Sequence, residues 1–425
     1  MAVATIPNEL SVPSVAESAV ADGARLRKQL AGAQLNGHFR ALGLLLPLFL
    51  FILLTFVYPI GRMLVNSFVD QSISSNLPTT MPLLSHWDGK DLPDESVFQA
   101  LVTDFAKVRA DNNGPLVGKR LNYEISGIRS KIISSINKAE KISVAPFKEQ
   151  LIAADKIWGD RLLWMKLKSA GQPTTGFYLL GMLDLERNVD GAIVPVAADR
   201  AIYRDILFRT LFISLTVTLL TLILGFPVAF VLANTPPKLS SLLMIFVLLP
   251  FWTSLLVRTT AWYVVLGDQG VINGLLHWVG LTSEPLRLIF SRFGTVVAMT
   301  HIQLPFTLLP IYSVMKGISP TYMRAARSLG GGPVYSFWRV YLPQTLPGIG
   351  AGCLLTFILS LGYYITPALV GGPADQMISG VIADAINREN NWGKACALGA
   401  ILLTVTLILY WVYNKLVGID KVKLG

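Results

Sequence analysis

Residues 322–343 read YMRAARSLGGGPVYSFWRVYLP and lie between two apolar runs. Ser319-Pro320 come just before, an N-cap residue followed by proline at the first helical position, and they predict a helix start. The short helix that follows carries Ala325 and Ala326. Gly330-Gly331-Gly332-Pro333 predict its stop, because glycine takes the left-handed conformation that closes a helix and proline cannot continue it. A second short helix is expected to end at Leu342-Pro343. Arg324, Arg327 and Arg339 make the segment basic. A helix–glycine–helix unit with small residues is built like a docking element. An ordinary basic loop fits the local pattern equally well.

The surroundings are membrane-like. The chain has 425 residues, of which 52% are hydrophobic, and its mean hydropathy is +0.54. That is too apolar for one soluble domain and points to several membrane spans. Runs at about 41–60, 210–233, 241–266, 295–314, 348–370 and 395–417 are each long enough to cross a bilayer of roughly 30 Å. The predicted fold is an all-α integral membrane protein with six transmembrane helices and a helical periplasmic insert between the first and second. The boundaries read as a cytoplasmic tail at 1–40, a first transmembrane helix at 41–69, an insert at 70–204, a membrane domain at 205–417 with the loop at 316–343, and a tail at 418–425.

Charge placement orients the spans. The net charge of +10 would suit a nucleic-acid binder, but its distribution argues against one. Arg25, Arg27, Lys28, Arg40, Lys238, Lys316, Arg324, Arg327, Arg339, Lys415, Lys421 and Lys423 fall on one side. The short loops of the other side hold Arg287, Arg292, Arg388 and Lys394. This is the positive-inside bias of an inner-membrane protein. An even number of spans puts both termini, and the 316–343 loop, in the cytoplasm. The first 37 residues, rich in alanine and serine, predict a disordered tail too long and polar for a cleaved signal. The first apolar run shows no small-residue cleavage site and reads as an anchor. Cys353 and Cys396 lie in apolar segments and read as structural thiols.

Pro227, Pro250, Pro305, Pro310 and Pro367 sit within the predicted spans. Each removes a backbone donor and frees a carbonyl that neighbours or a water-filled cavity must satisfy. A passive anchor has no need of such kinks, whereas a protein that opens a pathway does. In the insert, Leu121, Ile125, Ile128, Ile132 and Ile136 recur at helical spacing, and Phe147, Leu151, Ile157 and Leu162 suggest a second amphipathic helix. Two roles stand open for this insert: contact with a delivery protein, or packing on the spans.

Catalytic and metal-binding signatures are missing from the sequence. No G-x-x-x-x-G-K-[ST] phosphate loop occurs, so this chain does not read as an ATPase and no ATP or Mg²⁺ is expected on it. No nucleophile elbow, paired span carboxylates or metal-ligand cluster occurs. His38, His86, His277 and His301 are scattered, and His301, inside a span, reads as a hydrogen-bonded structural histidine. Arg258 is the notable ionisable residue of the spans. It either faces a cavity or partner, or snorkels outward from the later half of its helix. Trp252, Thr253, Trp262 and Tyr263 flank it.

The 322–343 segment resembles the loop of binding-protein-dependent ABC importer permeases, whose pattern is E-A-A, then glycine, then an apolar residue and L-P. Ala325, Ala326, Gly330, Val340, Leu342 and Pro343 fall at that spacing. Arg324 stands where the family usually has glutamate, so no salt bridge is implied there. PFWTSLLVRTTAW at 250–262, GVIN at 270–273 and YITPALVGGP at 364–373 are similar to the polyamine (spermidine/putrescine) permeases of that family. The resemblance covers most of 207–417 and leaves out the tail and the insert. It implies a multi-pass permease subunit of the bacterial inner membrane that acts with an ABC ATPase dimer, a second homologous permease, a periplasmic solute-binding protein and membrane lipid. It implies an ATPase-coupling loop at Arg324, Ala325, Ala326, Gly330, Leu342 and Pro343. The pathway candidates are Trp252, Thr253, Arg258, Trp262, Tyr363 and Tyr364. Permeases for ferric iron, phosphonates, opines or sulfate share parts of these motifs. The spans offer a polycation aromatic faces but no central carboxylate. From a different class, a membrane-anchored receptor or assembly protein displaying the 70–204 domain is the alternative.

Overall fold

A computed structural model describes residues 43–188 and 192–417; the tails expected at 1–40 and 418–425 lie outside them. The chain divides into two units after Arg62. The first carries most of the helix Gly43–Asn66, whose most apolar 18-residue window has a mean hydropathy of 2.4 and whose 24 residues reach about 36 Å at the usual rise. Leu53–Val57 forms a wider π turn within it.

In the second unit the insert comes first. Its described residues form short helices and one antiparallel strand pair, Leu185–Arg187 with Ile193–Pro195. Its expected long helices are broken. Leu121 through Ile136 fall on two helices, Gly114–Glu124 and Arg129–Ala139, separated by a turn at Gly127 with φ +81°. The apolar pattern still marked the buried side, for Leu121, Ile128, Ile132 and Ile136 all enter the core. Phe147 through Leu162 split into Phe147–Ala154, a 3-10 turn at Lys156–Gly159, and Arg161–Ala170. Asp155 and Asp160 cause the splits: each side chain accepts from the backbone amide two residues on, which competes with helix continuation. Trp158, Trp164, Phe98 and Phe105 interlock at the centre through tilted and edge-on ring contacts.

Beyond the insert lie the long helices Tyr203–Asn234, Arg292–Gly317, Pro333–Gly362 and Trp392–Lys415. The third predicted run is not one helix. Pro237–Trp252 and Leu255–Trp278 meet at 95°. Pro250 withdraws a donor near the end of the first piece, Thr253 is extended, and the Ser254 hydroxyl caps the second piece by accepting from Val257 N at 3.2 Å. The described residues therefore hold five continuous spanning-length helices and one bent pair, six spans if that pair counts as one.

The fifth run also differs at both ends. The short helix expected to end at Leu342-Pro343 continues, and Pro333–Gly362 is one 30-residue helix. Phe337–Tyr341 widens into a π turn, and Leu342 N–H bonds to Phe337 O. At the far end the helix stops at Gly362 and resumes as Ile365–Val370, so the stretch to residue 370 is interrupted at Tyr363-Tyr364.

The second, fourth and fifth spans are tied together by hydroxyls. Thr307 Oγ1 donates to Thr221 Oγ1 at 2.8 Å and lies 2.6 Å from Thr356 Oγ1, and all three side chains are fully buried. Hydrogen bonds between helices replace the hydrophobic drive that lipid cannot supply. The insert is fixed to the loop before the last span. Lys119 Nζ donates to the carbonyls of Glu389 and Asn390 at 2.7 and 2.9 Å.

Candidate coupling loop and membrane polar site

The helix Pro320–Ser328 opens as its sequence predicts, with the Ser319 side chain accepting from Thr321 N. It closes by paired backbone bonds: Gly331 N–H to Ala326 O and Gly330 N–H to Arg327 O, both at 3.0 Å. Gly330 sits at φ +88°, where a side chain would be strained. Met323 and Ile318 pack on a core that includes Phe230, Leu308, Ile311, Phe337 and Tyr341. That anchors one side of the short helix to the spans. The other side carries Tyr322, Arg324, Ala325 and Arg327, all exposed, and Leu329 is 88% exposed. Arg324 Nη2 donates only as far as Thr321 Oγ1, 3.2 Å away. Leu342 and Pro343 do not share this surface; they lie beyond the π turn, inside the long helix. The loop is therefore a firmly held small helix presenting a basic, partly apolar face.

The second region lies where the third and fifth spans break. Arg258 stands in the first turn of Leu255–Leu266, not late in a continuous span. Trp262, one turn on, donates from Nε1 to His301 Nδ1 at 3.1 Å. His301 thus has the hydrogen bond its sequence setting suggested. Arg258 is within charge-interaction reach of His301 and of Tyr363. Tyr363 occupies the gap after Gly362, and its carbonyl accepts from Ser379 Oγ. Arg258, Trp262 and Tyr363 are thereby gathered in one neighbourhood. Trp252 and Thr253 are not: Trp252 is 76% exposed, and Thr253 bonds back to Pro250 O. Tyr364 instead lines a cavity of about 540 Å³ with Phe290, Pro367, Gln376 and Asp384.

Several residues of this region were not picked out from the sequence. Gln303, fully buried, accepts from Ser360 Oγ at 2.6 Å. Arg292 pairs with Asp375 at 2.9 Å, and the Arg209 guanidinium donates to the Ala374 and Gln376 carbonyls. Polar residues inside apolar runs were the available signal for Gln303 and Ser360. Nothing in the pattern linked Arg209 to a loop 165 residues away. Among the described residues no group of His, Cys, Asp or Glu is arranged to hold a metal ion.

With this geometry in place, comparison with known proteins is informative. Residues 222–417 match the family described as binding-protein-dependent transport system inner membrane component. A stretch of 220 residues is 33% identical to the spermidine/putrescine transport system permease protein PotB of Haemophilus influenzae, covering 51% of this chain and 77% of that protein. PotB of Escherichia coli is 33% identical over 226 residues, 52% of this chain and 82% of that one. The inner membrane ABC transporter permease protein YdcU of Escherichia coli is 33% identical over 228 residues, covering 50% and 72%.

Proposed function

Because the chain belongs to the family of binding-protein-dependent transport system inner membrane components, we propose that it moves polyamines such as putrescine and spermidine. It is an all-α, multi-pass inner-membrane permease subunit of an ABC importer for a small solute. The observation that carries the substrate reading is the similarity to PotB, with three-quarters or more of that relative matched. Exposed aromatic side chains at the span breaks, Tyr364 among them, are compatible with it, since ring faces attract ammonium groups.

In this reading the helix Pro320–Ser328 seats on a separate ATPase dimer in the cytoplasm, where ATP and Mg²⁺ are held. Closure of that dimer pushes the helix, and the core around Phe230, Phe337 and Tyr341 carries the movement into the spans. The bent third span and the interrupted fifth span are the elements that open and close the path. Trp252, Thr253, Arg258, Trp262, Tyr363 and Tyr364 line or steady it. Both termini lie in the cytoplasm and the 70–204 insert lies outside, where a solute-binding protein delivers its cargo. A second permease subunit completes the channel.

Purification through a tag on this chain tests the assembly. The expected preparation contains an ATPase and a second permease, and loses the ATPase when Gly330 is replaced by valine. An unchanged ATPase yield in that variant, with normal uptake, rejects the loop as the docking element.

A further inference from the structure

Hydroxyls inside the spans commonly donate to their own helix. Thr210, Thr216 and Thr218 on the second span, and Thr404 and Thr406 on the last, each bond to the carbonyl four residues back. Ser214 Oγ and Thr300 Oγ1 do not: both are buried without a hydrogen-bond partner among the described residues. Gln303 Nε2 is a third such atom, an amide donor whose companion oxygen is taken by Ser360. Ser214 and Gln303 are fully buried and Thr300 is 6% exposed. A buried polar atom left unpaired forfeits the hydrogen bonds it had in water, so each of the three calls for a partner.

Helix register brings the three together. Thr221 of the second span bonds to Thr307 of the fourth. Ile213 and Val217 cluster with Val296 and Met299, and Ala229 and Leu232 with Leu308, Ile311 and Met315. The two spans therefore run side by side in the same direction. Ser214 lies seven residues before Thr221, and Thr300 seven before Thr307, two turns along the same face of each helix. Their hydroxyls thus stand level on facing helices. Gln303 lies one turn from Thr300 and one turn from Thr307 on that face, and its bond to Ser360 reaches the fifth span. Three unpaired polar atoms from two spans converge beside the threonine knot.

Water matches this set. It accepts from the Gln303 amide and donates to both hydroxyl oxygens, within the two to four bonds a buried water makes. A cation is disfavoured by the amide N–H, and the three neutral groups hold no charge to match an anion. We infer that Ser214, Thr300 and Gln303 bind an ordered water between the second and fourth spans. It joins the two helices without a direct bond, where Thr221, Thr307 and Thr356 make the neighbouring junction by direct contact. This site is independent of the solute carried.

Cryo-electron microscopy of the protein purified in its complete assembly through a tag on this chain, at a resolution that shows ordered waters, tests the site. The expected map has a compact peak outside the protein density, about 2.6–3.2 Å from Ser214 Oγ, Thr300 Oγ1 and Gln303 Nε2. Thr300→Val keeps the shape, removes the hydroxyl and loses the peak, whereas Thr300→Ser retains it. Ser214→Ala gives the same loss and stands in where Thr300→Val does not accumulate. A map in which both hydroxyls turn back to the carbonyls of their own helices, with no peak between them, overturns the inference. So does a peak ringed by oxygens at about 2.3–2.6 Å, the distances of a bound cation. A peak that persists undiminished in Thr300→Val and Ser214→Ala overturns it as well.

Discussion

The Thr259 hydroxyl lies 3.2 Å from the Thr366 hydroxyl, and both side chains are fully buried. This contact joins the helix after the bend of the third span to the helix after the break of the fifth. Two interruptions far apart in sequence are thus held in register by one polar contact. Thr259→Val keeps the shape and removes the bond. It is expected to lower the stability of the purified transporter by about 0.6 kcal/mol and by no more than about 1.7, the mean and maximum for hydrogen bonds between membrane helices. A thermal-unfolding series on wild type, Thr259→Val, Thr366→Val and the double variant checks this. Fully additive single losses would show that the hydroxyls do not act as a pair.

Gly330 closes the exposed helix at φ +88°. A valine there must either hold a strained backbone, at about 1–2 kcal/mol, or reshape the turn. If the helix docks as proposed, Gly330→Val is expected to reach the membrane at normal levels and to lose most uptake, because Ala325 and Ala326 no longer face the proposed ATPase partner correctly. Immunoblots of membrane fractions and uptake of labelled spermidine separate the two effects. Loss of the protein from the membrane would make the glycine a folding requirement instead.

Gly393, at the start of the last span, lies flat against the Tyr178 ring. A Cβ there would fall 2.4 Å from the ring, which is itself buried. Gly393→Ala is expected to push the insert off the 388–392 loop and to destabilise that junction by about 1–3 kcal/mol, as overpacking does. Faster hydrogen exchange at residues 176–182, with an unchanged insert core around Trp158 and Trp164, is the expected signature. Unchanged exchange at 176–182 would contradict the tight junction.

Asp70 anchors the beginning of the insert. Burial alone would raise its carboxyl, but the Arg120 charge and hydrogen bonds from Ser72 and Arg120 outweigh that and hold it below the usual value of 3.8. Tyr178 also donates to Asp70, at 3.1 Å, and burial pushes the Tyr178 phenol upward so that it keeps its proton. A depressed carboxyl stabilises the fold above its unfolded value, and the stabilisation is lost as pH falls through the lowered one. Asp70→Asn is therefore expected to be less stable at neutral pH, by about 1.5–3 kcal/mol as for a lost charged hydrogen bond, because Arg120 keeps Glu124 as a partner at 3.2 Å. Its deficit against wild type should shrink below about pH 4, near the unfolded carboxyl value. A deficit that is constant across that window would remove the charge from the explanation.

The membrane architecture was legible in the sequence because each apolar run is long and its ends carry charge. The bend at Thr253 was not, since Pro250 signals a kink but not whether the chain stops. The capping power of Ser254 decided it, and a lone serine after an extended residue is a weak signal. The helix Pro320–Ser328 was readable from Ser319-Pro320 and Gly330, which are local devices. The fate of Leu342-Pro343 was not, because a π turn is set by the packing of Phe337 and Tyr341 against Phe230. In the insert the spacing of Leu121 and Ile132 gave the buried side correctly. Asp155 and Asp160 then cut the second helix through local bonds that periodicity ignores. The link between Arg258 and Tyr363 depends on how two broken spans meet, which no single segment encodes.

Import of a polyamine is the central claim, and it is measured most directly in proteoliposomes holding the purified transporter, its binding protein outside and ATP inside. The predicted result is accumulation of labelled spermidine or putrescine that requires both ATP and the binding protein. Absence of polyamine accumulation, with uptake of an anion such as a phosphonate under the same conditions, would contradict it.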